Sequence, residues 1–421
     1  MKLRNAIIIG VIYTPSICQA VVQTDYEYDK HYSNLVFINK DSSTTIKPNE
    51  ANSNQAEILI APKNSKGISY NKYDEFHVND TGVTLNNKEV AAEIIINEVV
   101  DETTSFLAGD IAITGNAAHV IIANPNGIEC QSCSFSNTLS ETLVTGKPII
   151  DNDELIGYQL ETSISSVDKR AFGGKPIDHI GKIVFSNENN RSANRSFNKI
   201  NIISNNINLI EDVIFSEGDI NIYSGKQIVI VKEGAKILEN GMRTHESNHN
   251  LPSQIMLGDK KSDPKKQGLM SAKNIIINAS DTTINNYGHL ESSRSNSKKA
   301  IQLNLDNTRF NNHGYILAKG GYVNLQNNSL LNNMKNGTIG MQYWLDDSHA
   351  NSKNSSVYVG TIPKDTIKPM KNLTLDISED SQLINHGAIT AIRLYTRDKN
   401  MNNIQNNRED IKFYTKSLKI K

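Results

Sequence analysis

One phrase recurs toward the C-terminal end of the chain, and it limits the available folds more than any other feature. It is an apolar residue, Asn-Asn, one further residue and Gly: Ile284-Asn285-Asn286-Tyr287-Gly288, then Phe310-Asn311-Asn312-His313-Gly314. It returns as Leu331-Asn332-Asn333 before Gly337, and as Leu383-Ile384-Asn385-His386-Gly387. The glycines are 26, 23 and 50 residues apart, so the last interval reads as two turns of about 25. A strand-like segment precedes each phrase: Ile275-Ile276-Ile277, Ile301 to Leu305, Val323-Asn324-Leu325 and Leu373-Thr374-Leu375. Strand, turn and Asn-Asn-x-Gly at a regular spacing describe one coil of a parallel β-helix, in which aliphatic side chains stack inward in columns. Asn at a recurrent turn can form a ladder of side-chain hydrogen bonds from coil to coil, and Gly is expected to supply a positive φ beside it. The bland alternative, low-complexity Asn-rich sequence, does not account for a fixed phrase at a fixed spacing.

The rest of the chain agrees. Short apolar runs, among them Ile94-Ile95-Ile96, Ile111-Ala112-Ile113, Val120-Ile121-Ile122, Ile200 to Ile203, Ile220 to Tyr223 and Ile228 to Val231, are separated by Asn, Gly, Asp and Ser. None sustains a helical period for three turns, so the fold class is all-β. Aromatic residues make up only 6% of the 421, so an aliphatic core must dominate. The architecture expected is a right-handed parallel β-helix, a single-stranded solenoid whose N-terminal strands cap the first coil. Residues 21–240 form its first part and 274–421 further coils. Residues 241–273, polar and Lys-rich with Pro252 and Pro264, read as a junction loop.

The first twenty residues read as a signal peptide: Lys2 and Arg4, then the apolar run Ala6 to Tyr13, then Pro15. Cys18 and Ala20 put small residues where a signal peptidase reads, so cleavage is expected between Ala20 and Val21. Lipidation of Cys18 is the weaker reading, because Ile17 stands where a small residue is expected. The apolar run is too short to span a bilayer, and no other segment is apolar enough to do so. Cys130 and Cys133 remain in the mature chain, in an oxidising compartment. They follow a turn inside strand-like sequence, where a tight structural disulfide fits better than a redox centre at a helix N-terminus. A net charge of −1 argues against a strongly basic nucleic-acid surface, and Lys260 to Lys266 reads as a solvated loop.

Residues 58–146 resemble the secretion domain of the filamentous hemagglutinin and hemolysin family, the exported partners of two-partner secretion systems. The resemblance begins at Ile58-Leu59-Ile60-Ala61-Pro62, Gly67-Ile68-Ser69, Asn71, Tyr73, Phe76 and Val78. It continues through Gly82, Leu85-Asn86-Asn87, Ile95-Ile96-Asn97-Glu98-Val99, Ser105-Phe106-Leu107-Ala108-Gly109 and Gly115-Asn116-Ala117-Ala118. Its strongest stretch is Ile121-Ile122-Ala123-Asn124-Pro125-Asn126-Gly127-Ile128, followed by Cys130, Cys133, Phe135, Asn137 and Thr138. The closing phrase, Thr142-Leu143-Val144-Thr145-Gly146, departs mildly from the family's Thr-Leu-Thr-Thr-Gly. Weaker similarity runs on through Ile200 to Gly225. The resemblance implies export across the outer membrane of a Gram-negative bacterium by a dedicated β-barrel transporter. It implies a secretion role for Asn97, Asn124, Pro125, Asn126, Gly127 and Ile128. Read bottom-up, Asn124 to Gly127 is a tight turn, with Pro125 fixing φ and Gly127 accepting a positive φ, so stabilising the coil is by itself a sufficient role.

Catalytic patterns are scarce. His245-Glu246-Ser247-Asn248-His249 matches H-E-x-x-H, but its flanks, Asn240-Gly241 and Asn250-Leu251-Pro252, are not those of the helix such a zinc site needs. A polysaccharide lyase would need Asp, Lys and Arg gathered on one face; Asp346-Asp347 and Arg393 to Asp398 share no evident spacing. No catalytic residue, metal or cofactor is therefore expected. The function expected is that of a secreted or surface exoprotein acting in adhesion or hemagglutination, by binding a host-cell glycan or protein. That reading is favoured because no recognisable toxin domain and no long amphipathic segment follow Gly146; a hemolysin-like toxin acting on host membranes and a truncated product are the alternatives.

Overall fold

The computed structural model describes residues 36–160 apart from 51, 53 and 54, then 181–186, 196–210, 213–225, 228–232, 236–237, 253–258 and 260, and further 268–292, 295–342, 367–396, 403–406 and 417–420. Among these residues every regular element is a strand. Successive passages of the chain lay three strands each, as in Asn274–Ser280, Thr282–Asn286 and His289–Ser292, followed by Ile301–Asp306, Arg309–Asn312 and Tyr315–Ala318. Each strand pairs in parallel with its counterpart one passage later: Ile275 opposite Ile301, Ile284 opposite Phe310, Leu290 opposite Ile316. The result is a parallel β-helix. A 13-stranded sheet forms the long face and a 10-stranded sheet the second; a five-stranded and then an eight-stranded sheet form the third.

The helix is closed at its N-terminal end by antiparallel strands. Val36–Ile38 runs against Ile68–Phe76, and Thr45–Pro48 against Ala56–Leu59, so the first parallel strands of the long face and of the third face are covered there. The core is one continuous, mainly aliphatic column of side chains from Ile58 to Leu394, with Tyr73, Phe76, Phe185, Phe197 and Phe310 among them. In the later coils each strand on the long face alternates buried and half-exposed residues, as in Ile301–Asp306, the period-2 pattern of a sheet with one face on the core. The earlier strand Ile94–Val99 is buried on both faces. A hairpin explains the difference. Gly146–Asp151 and Glu154–Leu160 pair antiparallel, joined through Asn152 and Asp153 at φ of 49° and 65°, and the second strand also pairs with Ile228–Lys232. Leu155, Tyr158 and Leu160 cover the outward side chains Ile94, Ile96, Ile121, Val144, Ile203 and Tyr223, a second apolar layer outside the coil.

The Asn phrase is a ladder. Asn286 Nδ2 donates to Asn312 Oδ1, Asn312 Nδ2 to Asn333 Oδ1 and Asn333 Nδ2 to Asn385 Oδ1, at 2.8, 2.8 and 2.7 Å. All four residues are fully buried. The preceding coil places Leu257 opposite Asn286, which leaves Asn286 Oδ1 without a donor.

Three expectations are corrected. Gly288, Gly314, Gly337 and Gly387 do not adopt positive φ. They are required by close approach, since a Cβ on Gly314 would lie 2.0 Å from the Gly288 carbonyl oxygen, and one on Gly387 would lie 2.2 Å from that of Gly337. The 50-residue interval is one coil rather than two. Leu383 pairs directly with Leu331, so the added chain length inserts no coil between them. Within 241–273, the strands Ser253–Leu257 and Leu269–Ala272 continue the second and third faces. Residues 1–20, the junction of Ala20 with Val21, and His245 to His249 lie outside the described residues.

Candidate functional site

The long-face strand Ala118–Ala123 ends at Asn124, whose N–H donates to Val144 O on the next coil at 2.9 Å. Gly127 N then donates to Asn124 O at 3.1 Å, closing a four-residue turn with Asn first, Pro second and Gly last, the residues such a turn favours. Gly127 has φ 126°, as expected of it.

The Asn124 side chain is fully buried, and all its hydrogen-bonding capacity is used inside the molecule. Nδ2 donates to Thr103 O at 2.8 Å and to Ser105 Oγ at 2.9 Å, both on the preceding coil. Oδ1 accepts the Asn126 N–H at 2.9 Å and Asn126 Nδ2 at 3.2 Å. Asn126, half-buried, also donates from Nδ2 to Asp101 O at 2.7 Å, and its carbonyl accepts Gly181 N at 3.2 Å. Gly127 O accepts Ser105 N at 3.1 Å. One tetrapeptide therefore fastens the coil before it, its own coil and the coil after it.

Ile128 opens the strand Ile128–Gln131, which lies in parallel between Ser105–Leu107 and Lys182–Ser186, and its side chain enters the core. Cys130 and Cys133, both buried, are joined by a disulfide with Cα atoms 5.1 Å apart across Ser132. The bridge pins the chain as it leaves the turn.

Asn97 lies on a different strand but does similar work. It is 1% exposed, its Oδ1 accepts the Tyr73 hydroxyl at 3.0 Å, and its Nδ2 donates to Ile121 O at 3.3 Å. Directly beneath it in register is Asn71, a residue that the family resemblance contains but that was not singled out for a role. Asn71 Oδ1 accepts Ala61 N at 2.8 Å and Thr44 Oγ1 at 2.7 Å, while Nδ2 donates to Ile96 O at 3.1 Å, so it ties the capping segment to the first coils. The interval from Asn71 to Asn97 equals the 26-residue step between Gly288 and Gly314, a signal that could have marked it.

Glu141 was also missed. Its carboxylate is buried and accepts bonds from Thr138 Oγ1, from Asn198 N at 3.3 Å and from Lys199 N at 3.1 Å. It thereby anchors the corner from which the chain enters the long-face strand Ile200–Ile203 of the next coil. Burial pushes this carboxyl up to about 7, against the lowering effect of those hydrogen bonds. Nothing in this set forms a nucleophile with a base. Among the described residues no group of three or more His, Cys, Asp or Glu side chains is placed to hold a metal ion. The arrangement can tie coils together, and its most buried amides are not presented to a partner.

Residues 37–358 match the family model of the TPS secretion domain, the secretion domain of two-partner secretion. The chain belongs to this family. TPS exoproteins are secreted by Gram-negative bacteria, and the TPS domain implies an outer-membrane transporter as partner. A hemolysin of Serratia marcescens is 40% identical over 119 residues, covering 24% of this chain and 7% of that protein. The tRNA nuclease CdiA of Yersinia mollaretii is 36% identical over 154 residues, covering 32% of this chain and 5% of the nuclease. The chain thus spans less than a tenth of the length of these curated relatives. The solved secretion domain of filamentous hemagglutinin aligns over 88% of this chain and 98% of its own, at 16% identity and a TM-score of 0.45.

Proposed function

We propose that the chain is the export-directing part of an exoprotein that a dedicated two-partner β-barrel transporter carries across the outer membrane, and that it acts outside the cell by binding rather than by catalysis. The observation that carries the reading is the family match over residues 37–358, together with an Asn124–Gly127 turn that links three coils. The periplasm offers no nucleotide to drive transport. A chain emerging unfolded can be drawn outward as each coil stacks on its predecessor, since a solenoid needs only its nearest neighbour as a template. Asn97 and Asn124 serve export through this stacking. Their amides are spent on neighbouring coils, so the folded surface offers a transporter little of them to read.

The test is expression with and without a cognate transporter, followed in the medium, with the secreted protein then mixed with erythrocytes. Transporter-dependent release and agglutination without loss of haemoglobin are expected. Release without a transporter overturns the export reading, and haemoglobin in the supernatant reassigns the activity to lysis.

A further inference from the structure

The hairpin of Gly146–Asp151 and Glu154–Leu160 does more than cover side chains, because it ties together coils that are far apart in the stack. Beneath it run six neighbouring strands of the long face: Ile68–Phe76, Ile94–Val99, Ala118–Ala123, Thr138–Val144, Ile200–Ile203 and Asp219–Ser224. At about 4.8 Å between strands they span about 24 Å. The hairpin grips both ends of that span. At its tip, Asp153 O accepts Asn64 Nδ2 at 2.8 Å and Asp153 Oδ2 accepts Ser65 Oγ at 3.0 Å, just ahead of the first strand. Along its body, Leu155, Tyr158 and Leu160 share one buried cluster with side chains from all six strands, Ile68 on the first and Tyr223 on the sixth. At its far edge Gly157, Tyr158 and Gln159 pair with Ile230, Val229 and Ile228, which follow the sixth strand.

The later coils have no such tie. Ile301–Asp306 pairs with Asn274–Ser280 on one side and Gly320–Gln326 on the other, and its outward side chains, Gln302, Asn304 and Asp306, are polar and half-exposed. A stack held by neighbours alone opens locally. Under the hairpin the outward side chains are Ile94, Ile96, Ile121, Val144 and Ile203, all buried. Opening one of these coils breaks its contact with the hairpin, and lifting the hairpin bares apolar surface on all six. A buried polar tie runs beneath it as well, with Asn201 Nδ2 donating to Thr142 Oγ1 at 3.1 Å and Asn221 Nδ2 to Asn201 Oδ1 at 2.9 Å. In chain order the hairpin comes after four of the six strands it covers, and its far edge waits for Ile228.

We infer that this hairpin is a strap that closes once the six coils have stacked, and that its closure makes them open as one unit or not at all. The inference rests on the export reading only for its consequence: a strapped unit outside the membrane is not drawn back one coil at a time.

The experiment is amide hydrogen exchange on the purified protein, read at the slowest amides of each long-face strand. Two equally mild cuts in the core are compared, Ile95→Val under the strap and Ile301→Val beyond it. Ile95→Val is expected to lower protection about fivefold, by the same factor in all six strands from Ile68–Phe76 to Asp219–Ser224. Ile301→Val is expected to lower it only in its own strand and the two that pair with it. Leu155→Ala, on the strap itself, is expected to lower protection about thirtyfold or more in all six strands and to leave Ile301–Asp306 unchanged. An effect of Ile95→Val that fades with distance, or one from Ile301→Val that spreads as widely, overturns the strap. So does an effect of Leu155→Ala confined to the hairpin. Exchange is read without a transporter, so the strap can fail while the export reading stands, and release that needs no transporter removes that reading and leaves the strap.

Discussion

Replacing Asn312 by Ala tests how much of the helix is held by its interior amides. Asn312 is fully buried in the middle of the ladder, accepting from Asn286 and donating to Asn333 at 2.8 Å each. The substitution leaves Asn286 Nδ2 with only a 3.4 Å contact to Tyr315 O and strips Asn333 Oδ1 of its ladder donor. Two buried groups left unsatisfied cost about 1–3 kcal/mol each, so the expected loss is about 2–6 kcal/mol. The comparison is its neighbour. Asn311 points outward, half-exposed, with a side-chain bond to Asn285 Oδ1 at 3.0 Å, and Asn311→Ala should cost about 0.5–1.5 kcal/mol. Amide hydrogen exchange is the suitable assay, because stacked coils open locally and a single global transition is not assured. Thr282–Asn286, Arg309–Asn312 and Leu330–Asn333 should lose protection by about thirtyfold or more in Asn312→Ala, with Ser105–Leu107 unaffected. Equal effects of the two variants would refute the ladder as a source of stability.

Three further outcomes follow. Gly314→Ala, whose Cβ would lie 2.0 Å from a backbone oxygen, should lower the melting temperature through a cost of about 1–3 kcal/mol or more, while a variant that melts like the parent would contradict the close-approach account. Glu141 has its folded pKa raised from 4.5 to about 7, so folding favours the protonated form and the stability it contributes is lost as pH rises from 4.5 through 7, by up to about 3 kcal/mol. His289, fully enclosed and lowered to about 4, acts in the opposite sense between pH 4 and 6.5. Comparing Glu141→Gln with the parent by denaturation across pH isolates the first effect, and parallel stability curves would refute it. Joint Cys130→Ser and Cys133→Ser substitution opens a short loop worth about 2 kcal/mol and should lower protection in Ile128–Gln131; unchanged exchange there would show that the bridge is idle.

The coils and their inward columns were legible because a period-2 apolar pattern and a repeated Asn phrase each encode local geometry. The Asn ladder follows from the phrase itself, since a side chain repeated at one position of every coil meets itself. The glycines misled because sequence shows only that no Cβ is tolerated, and both positive φ and a carbonyl of the preceding coil impose that. The 50-residue interval misled for a related reason: spacing measures chain length, and the 52 residues from Leu331 to Leu383 lead to the directly neighbouring strand rather than across a second coil. The hairpin over the long face left two traces that went unread. Ile94-Ile95-Ile96 is apolar on both faces, which demands a cover, and Asn152-Asp153 suits a two-residue turn with φ positive at both positions. At the site, Asn124 to Gly127 was legible as a turn. What its amides reach, Thr103 and Ser105 one coil back, depends on a register that only the stacked structure supplies.

The central claim is that Asn97 and Asn124 direct export by building coils. It is tested most directly by measuring secretion of Asn97→Ala, Asn124→Ala and Asn126→Ala through a cognate transporter, beside the stability of each purified variant. The account expects no release without the transporter. It expects release with it to fall in step with stability, least for the half-exposed Asn126. A variant that keeps the parent's stability yet is no longer released would contradict it, and would mean that the transporter reads these side chains directly.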